Sequence, residues 1–424
     1  MSEQRDDRYA PPTTLPGLLQ RGRGQGALIA AEDPASAADL VYGCIRWEWR
    51  WHRQIDDRAL YLARLVRDLE LPLGPIIELL AGDAYACARA TQVLERLALG
   101  GSEEAREALR AYVRDGEHWV DVLESVAGRW PVAWWDDLED VARARLEEGQ
   151  DDPQPWALPW HRWEPAAPKR ERPAEAREQM AEPAEMTSSE LLELLADPGE
   201  SFLRKAGALG RLIRREPEPG LVPLVPLLGT ADGRYPALLR RAVRKLGPPA
   251  RPAARGWVTS GMPWLARLGH EVLARHIEEQ DVPTLLAALE RDWVEQVWCG
   301  PMHTARGLAR FGPKAADATS LLRRFWLWTP HSYERPGYLR ALAAIDPAGL
   351  DGGYVESLWD CQSDARLWAV EHAPERPAVT ARLAYLRDDP MEEPEVRNAA
   401  AVRLAGLTSG PLPQSEEAFE GRLE

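Results

Sequence analysis

The sequence predicts an all-α protein made of stacked helix pairs, and three observations carry that prediction. Leu246-Gly247-Pro248-Pro249-Ala250 lines up with Phe311-Gly312-Pro313-Lys314-Ala315, and Ile345-Asp346-Pro347-Ala348 echoes both. Each copy ends an apolar helix at Gly or Asp and uses Pro to launch the next one. Apolar residues recur at helical spacing along most of the chain, and no alternating strand run with hairpin signals interrupts them. A lone helix pair cannot bury its apolar face, so the repeated boundary signal implies an array in which each pair is covered by its neighbours.

With 424 residues the chain exceeds what one core usually supports, which fits several domains or an extended array. Hydrophobic residues make up 45%, enough for folded protein, but the longest apolar runs fall short of the roughly 18 residues of a membrane helix. Residues 1–14 are polar, carry Arg5, Asp6, Asp7 and Arg8, and lack the apolar segment of a signal peptide, so a cytoplasmic location without membrane association is predicted. Cys44, Cys87, Cys299 and Cys361 are widely spaced without a CxxC pair, which predicts buried free thiols and neither a disulfide framework nor a structural zinc site. A formal charge of −15 makes nucleic acid an unlikely partner, since a phosphate backbone is drawn by a summed positive field. The 18 Trp against 4 Phe are read mostly as core fillers or caps between layers.

Taken in order, residues 1–14 read as a disordered tail and 15–149 as an N-terminal helical array. Leu15 to Ala31 is helical with an interruption at Gly22, Gly24 and Gly26; no strand precedes these glycines, so they are not a dinucleotide loop. Asp33-Pro34 opens a helix that runs into Trp47, Trp49 and Trp51, interleaved with Glu48 and Arg50. Spacing of two puts the three indoles on one side of an extended segment, where they either grip a base or peptide or cap the end of the array. Leu62, Leu65, Val66 and Leu69 mark the next face, then Asp83 and Ser102 cap helices carrying Ala90, Val93, Leu94 and Leu97 and their successors. Gly116 and Gly128 bracket a helix with Trp119, Val122, Leu123 and Val126, and Pro131 begins another.

Between 150 and 186 the composition turns to Pro, Trp and charge, which predicts a linker whose Trp156, Trp160 and Trp163 pack on the preceding helices and whose second half is mobile. Helices resume at Thr187, which forms a capping-box pattern with Glu190, and continue through Ser201 with Phe202, Ala206, Leu209 and Ile213 on one face. Residues 187–408 read as a second array and 409–424 as an acidic tail.

A Pro-containing leucine helix (Leu221 to Leu228), Arg/Ala-rich second helices (Ala237 to Leu246, Thr304 to Phe311) and a last helix beginning Val396-Arg397-Asn398-Ala399-Ala400-Ala401 resemble the HEAT-repeat family. Helix ends recur at about 31–34 residues, a period that suits such units. The resemblance covers 187–408 well and 55–149 loosely. It implies a right-handed α-solenoid of HEAT-like pairs that recognises partners on its concave side; it specifies fold and not activity. His331-Ser332-Tyr333-Glu334 and Asp351-Gly352-Gly353-Tyr354 depart from the pattern, lengthening turns that can carry contacts.

No catalytic constellation is found. His270 and His276 are six residues apart rather than the four a zinc-protease helix needs, and Asp136-Asp137 and Asp388-Asp389 read as solvated caps. No cofactor or metal is expected. A protein-binding scaffold is the leading reading; the alternative is a nucleic-acid-binding protein, because some HEAT-like solenoids are DNA glycosylases. Aligning the second helices on Gly247, Gly312 and Asp346 places Leu239, Ala242, Val243, Leu246, Thr304, Gly307, Leu308, Phe311, Tyr338, Ala341, Leu342 and Ile345 inward. Opposite them stand Arg241, Lys245, Arg306, Arg310 and Arg340, a predicted basic ridge for an acidic protein segment, unless each cation pairs with the next repeat.

Overall fold

The computed structural model describes residues 9–149, 153–163, 186–229 and 237–408, and every regular element among them is a helix. Most of the predicted linker (150–152 and 164–185) and the 409–424 tail lie outside these residues. None of the described helices is long and apolar enough to cross a membrane. The chain divides into two compact units, Met1–Trp163 with Gly349–Glu424, and Glu164–Ala348.

In the first unit the helix starts follow the side chains that cap them. Thr14, Asp33, Asp83 and Ser102 each accept a backbone N–H three residues on, opening helices Leu15–Gln20, Pro34–Arg46, Ala84–Leu99 and Glu103–Asp115. The predicted faces of Ala59–Asp68, Ala84–Leu99 and Trp119–Arg129 are buried. Three local expectations change. Tyr9 to Thr14 is ordered, with Tyr9 hydroxyl donating to the Trp49 carbonyl and Ala10 N–H to Gln20 Oε1 at 2.7 Å. Gly128 lies inside its helix, which runs to Arg129 before Trp130 turns extended. Pro131 starts two 3-10 turns before the helix Glu139–Glu148 forms. Trp160 and Trp163 do pack back: Trp160 meets Trp119 edge-on at 6.1 Å, and Trp163 meets Trp135 at 5.9 Å, while Trp156 stays exposed.

The sequence divides the chain into consecutive arrays at 15–149 and 187–408, whereas the structure joins 349–408 to the N-terminal helices. The join is an ionic seam inside apolar packing. Arg64 bonds both Asp389 (2.7 Å) and Glu392 (2.9 Å), Arg67 bonds Asp389 at 2.9 Å, and Arg366 bonds Glu392 at 2.6 Å. Arg23 grips Glu356 through two bonds of 2.7 Å, a bidentate fork that carbon-chain ammonium groups cannot make. Cys361 and Met391 enter the same hydrophobic cluster as Leu60, Val66 and Leu94. Asp389 is thus buried and ion-paired, not the solvated cap expected; Asp388 remains exposed beside Arg387.

In the second unit Thr187 and Glu190 complete the predicted capping box of Ser188–Ala196. Phe202–Leu212 buries Ala208, Leu209 and Leu212, which leaves Phe202 exposed rather than inward. Pro219–Leu227 is a 3-10 helix holding Pro223 and Pro226, so the conflict between proline and an α-helical ladder never arises. Gly247 (φ 67°) and Gly312 (φ 53°) take the left-handed conformation that ends a helix, and 3-10 turns at Pro248–Ala250 and Gly312–Ala318 launch the next helices. Ala237–Leu246, Pro263–Arg275, Pro301–Ala309 and Arg335–Ile345 touch in succession, and Val282–Val294 touches Thr319–Trp328 behind them.

Candidate functional site

The row of four successive helices in the second unit sets out the candidate surface. Of the twelve positions predicted inward, eleven are buried; Phe311 is half-buried. Small residues let these helices approach closely. A Cβ at Gly307 would stand 2.4 Å from the Ala274 carbonyl oxygen, so only glycine fits that crossing.

The cations opposite the core divide into two kinds. Lys245 is exposed but its ammonium donates to the carbonyls of Ile213 (2.7 Å) and Arg215, at the end of Phe202–Leu212. Arg310 does the same for the Arg275 carbonyl at the end of Pro263–Arg275. Both satisfy the orphan carbonyls of a preceding helix, a structural duty that spacing alone does not reveal. Arg241 and Arg306 are exposed, and Arg340 is half-buried.

A tighter basic patch lies beside them, built from residues the sequence does not single out. Arg240 and Arg244, one turn apart on Ala237–Leu246, reach Glu271 on the next helix at 2.6 and 3.7 Å. The half-buried His303, on the helix after that, is held below its ordinary imidazole range first by burial and then by Arg306, Arg240 and Arg244, with Glu271 alone acting the other way. Two guanidinium groups of one helix therefore pair with the Glu271 carboxylate, and Arg306 adds a third positive field at His303 from that residue's own helix.

The Trp cluster is in the first unit. The helix Pro34–Arg46 ends as Trp47 turns extended, and Arg89 caps it by donating to the carbonyls of Ile45 (3.0 Å) and Arg46. Trp47 is 57% exposed, whereas Trp49 and Trp51 are half-buried and Trp49 lies 5.5 Å from the Tyr9 ring. Trp47 and Trp49 line a small cleft with Arg50, Arg58 and Arg89. Burial opposes the charge of Glu48 there, yet hydrogen bonds from Arg50 hold its carboxyl below the usual range.

Of the cysteines, Cys87 and Cys361 are buried as expected, but Cys299 is exposed. It stands beside His331 and Glu334, which belong to one of the two stretches expected to lengthen turns; the other, Asp351 to Tyr354, is not a turn but the start of the helix Asp351–Ser357.

Comparison of the chain with protein-family models, with curated proteins and with solved structures finds no match.

Proposed function

We propose that the protein is a non-catalytic, cytoplasmic scaffold whose 187–348 region is a right-handed, HEAT-like α-solenoid binding an acidic segment of a partner protein. The observation that carries this reading is the pairing of Arg240 and Arg244 with Glu271, with Arg306 acting on the same His303 as that pair, and with Arg241 exposed on the same helix as Arg240 and Arg244. Helices that touch in succession, with apolar residues on one side and guanidinium groups on the other, are what stacked repeats offer a partner. Guanidinium forks match carboxylates bidentately, so an extended Glu- or Asp-rich segment is the occupant of fitting chemistry.

The test is fluorescence anisotropy with a labelled Glu-rich peptide and, separately, a labelled DNA duplex, each titrated with the full chain at low and high salt. Salt-sensitive binding of the peptide with weaker binding of the duplex is expected. Tighter binding of the duplex would move the protein to the nucleic-acid class, and absence of peptide binding at low salt would remove the proposal.

A further inference from the structure

Cys299, His331 and Glu334 bring three different metal-ligating groups to one point, their ligand atoms all within 4.8 Å of one another. His331 and Glu334 are 1% and 3% exposed while Cys299 is on the surface, so the cluster is buried on two sides and open on the third. The local fold explains the placement. Glu334 N–H donates to the His331 carbonyl at 3.1 Å, closing the 3-10 turn Ser332–Glu334 that launches Arg335–Ile345. Such a turn sets residues three apart on the same side. Cys299 arrives from the preceding repeat, just before Gly300 (φ 119°) and the helix Pro301–Ala309.

The carboxylate of Glu334 is oriented but not saturated. Its Oε1 accepts from Gly300 N–H, and its Oε2 accepts from Met302 N–H at 3.1 Å and from the Tyr338 hydroxyl at 2.6 Å. A carboxylate offers about four lone-pair sites, so these three bonds leave one on Oε1. All three donors are neutral groups. Tyr338 is itself fixed by stacking on Phe325 (5.4 Å between ring centres), and Trp298 lies edge-on to the same ring at 5.9 Å. Aromatic packing around Tyr338 and the burial of Glu334 lower the local dielectric and strengthen the attraction of its carboxylate for a cation.

We propose that Cys299, His331 and Glu334 bind a divalent ion of the zinc class through thiolate, imidazole and carboxylate, with the fourth position facing solvent. Mixed sulfur, nitrogen and oxygen ligands suit zinc and its borderline neighbours and do not suit magnesium or calcium, which take oxygen sets. Ligand atoms around a tetrahedral zinc stand roughly 3.3–3.8 Å apart, so binding draws these three groups together from separations of up to 4.8 Å. Binding releases the thiol proton of Cys299 to solvent. Tyr338 and the two amides act as the outer partners that hold Glu334 in place. Three protein ligands and one open position are the pattern of a site that keeps a water on its metal. The irregular spacing, with ligands from two turns on successive repeats, is why the sequence predicts no metal here. This site stands independently of the basic patch.

The test uses the metal-free full chain with zinc and cobalt as probes. Zinc should slow alkylation of Cys299 by iodoacetamide at least about tenfold, read by peptide mass spectrometry, and His331→Gln should remove that protection. Cobalt should bind at one ion per chain with a thiolate charge-transfer absorption that zinc displaces and Cys299→Ser abolishes. Because Cys299 is exposed, Cys299→Ser keeps the fold and decides the question even if His331→Gln does not fold. Equal alkylation rates with and without zinc, or a cobalt absorption unchanged in Cys299→Ser, would overturn the site.

Discussion

Arg64 and Glu392 form an ion pair of 2.9 Å whose side chains are 7% and 0% exposed, joining a helix near the N-terminus to a turn near the C-terminus. Arg366 approaches the same carboxylate at 2.6 Å from a side chain 1% exposed, so Glu392 is the shared anion of two buried cations. Removing it takes from Arg366 its paired carboxylate and leaves Arg64 with Asp389 alone. Glu392→Ala should therefore destabilise the first unit by roughly 3–5 kcal/mol, the cost of breaking a buried pair from one side. Chemical denaturation followed by far-UV circular dichroism checks this; a loss under about 1 kcal/mol would show that water reaches the seam.

The same carboxylate makes stability pH-dependent. Burial opposes its charge, but Arg366 and Arg64 bring Glu392 from 4.5 down to about 2. Burial likewise opposes Asp389, which Arg67 and Arg64 hold below its ordinary value. Between these limits the unfolded chain binds a proton that the folded chain refuses. The contribution of Glu392 is present in full above about pH 4.5 and is lost as pH falls toward 2, a shift equivalent to about 3 kcal/mol. Glu392→Gln should flatten the stability profile in that window. An unchanged slope in the variant would contradict the assignment.

Gly307→Ala tests the helix crossing in the second unit. Alanine favours a helix over glycine by about 1 kcal/mol, yet its Cβ would meet the Ala274 carbonyl oxygen at 2.4 Å. Steric cost should win, with a net loss of roughly 1–2 kcal/mol in denaturant unfolding. A stabilised variant would mean the two helices separate freely.

The tryptophans should divide by burial. Trp119 is 1% exposed and Trp47 is 57% exposed. Trp119→Ala should cost roughly 3–5 kcal/mol, whereas Trp47→Ala should stay within about 0.5 kcal/mol. A large loss for Trp47→Ala would make it part of a structural cap.

Much of the fold is legible because it is written locally. Thr187 with Glu190, Asp83, Ser102 and the Gly247 and Gly312 stops act within a few residues, and the helical period places Val243, Leu308 and Leu342 inward without tertiary knowledge. The seam is illegible for the opposite reason. Arg64 and Glu392 carry no periodic mark, and a charged residue reads as solvated until its distant partner is known. Lys245 looks like Arg241 in sequence, and only the position of the Ile213 carbonyl separates a capping cation from an exposed one. Arg240 and Arg244 were hidden in the same way, since their meaning depends on Glu271 and His303 in later helices. In the Cys299–His331–Glu334 cluster the His331 and Glu334 spacing is visible, but Cys299 joins it only through the packing of Pro301–Ala309 against Arg335–Ile345.

The most direct measurement of the basic patch is the affinity of a labelled Glu-rich peptide for the full chain carrying Arg240→Gln, Arg244→Gln and Arg306→Gln together. At low salt the affinity should fall at least about tenfold relative to the unmodified chain, with the difference shrinking as salt screens the charges. The helical signal and the melting temperature should change little, because half-buried ion pairs still open to solvent contribute only about 0–1 kcal/mol each. Equal peptide affinity at low salt, with the fold intact, would contradict recognition through this patch.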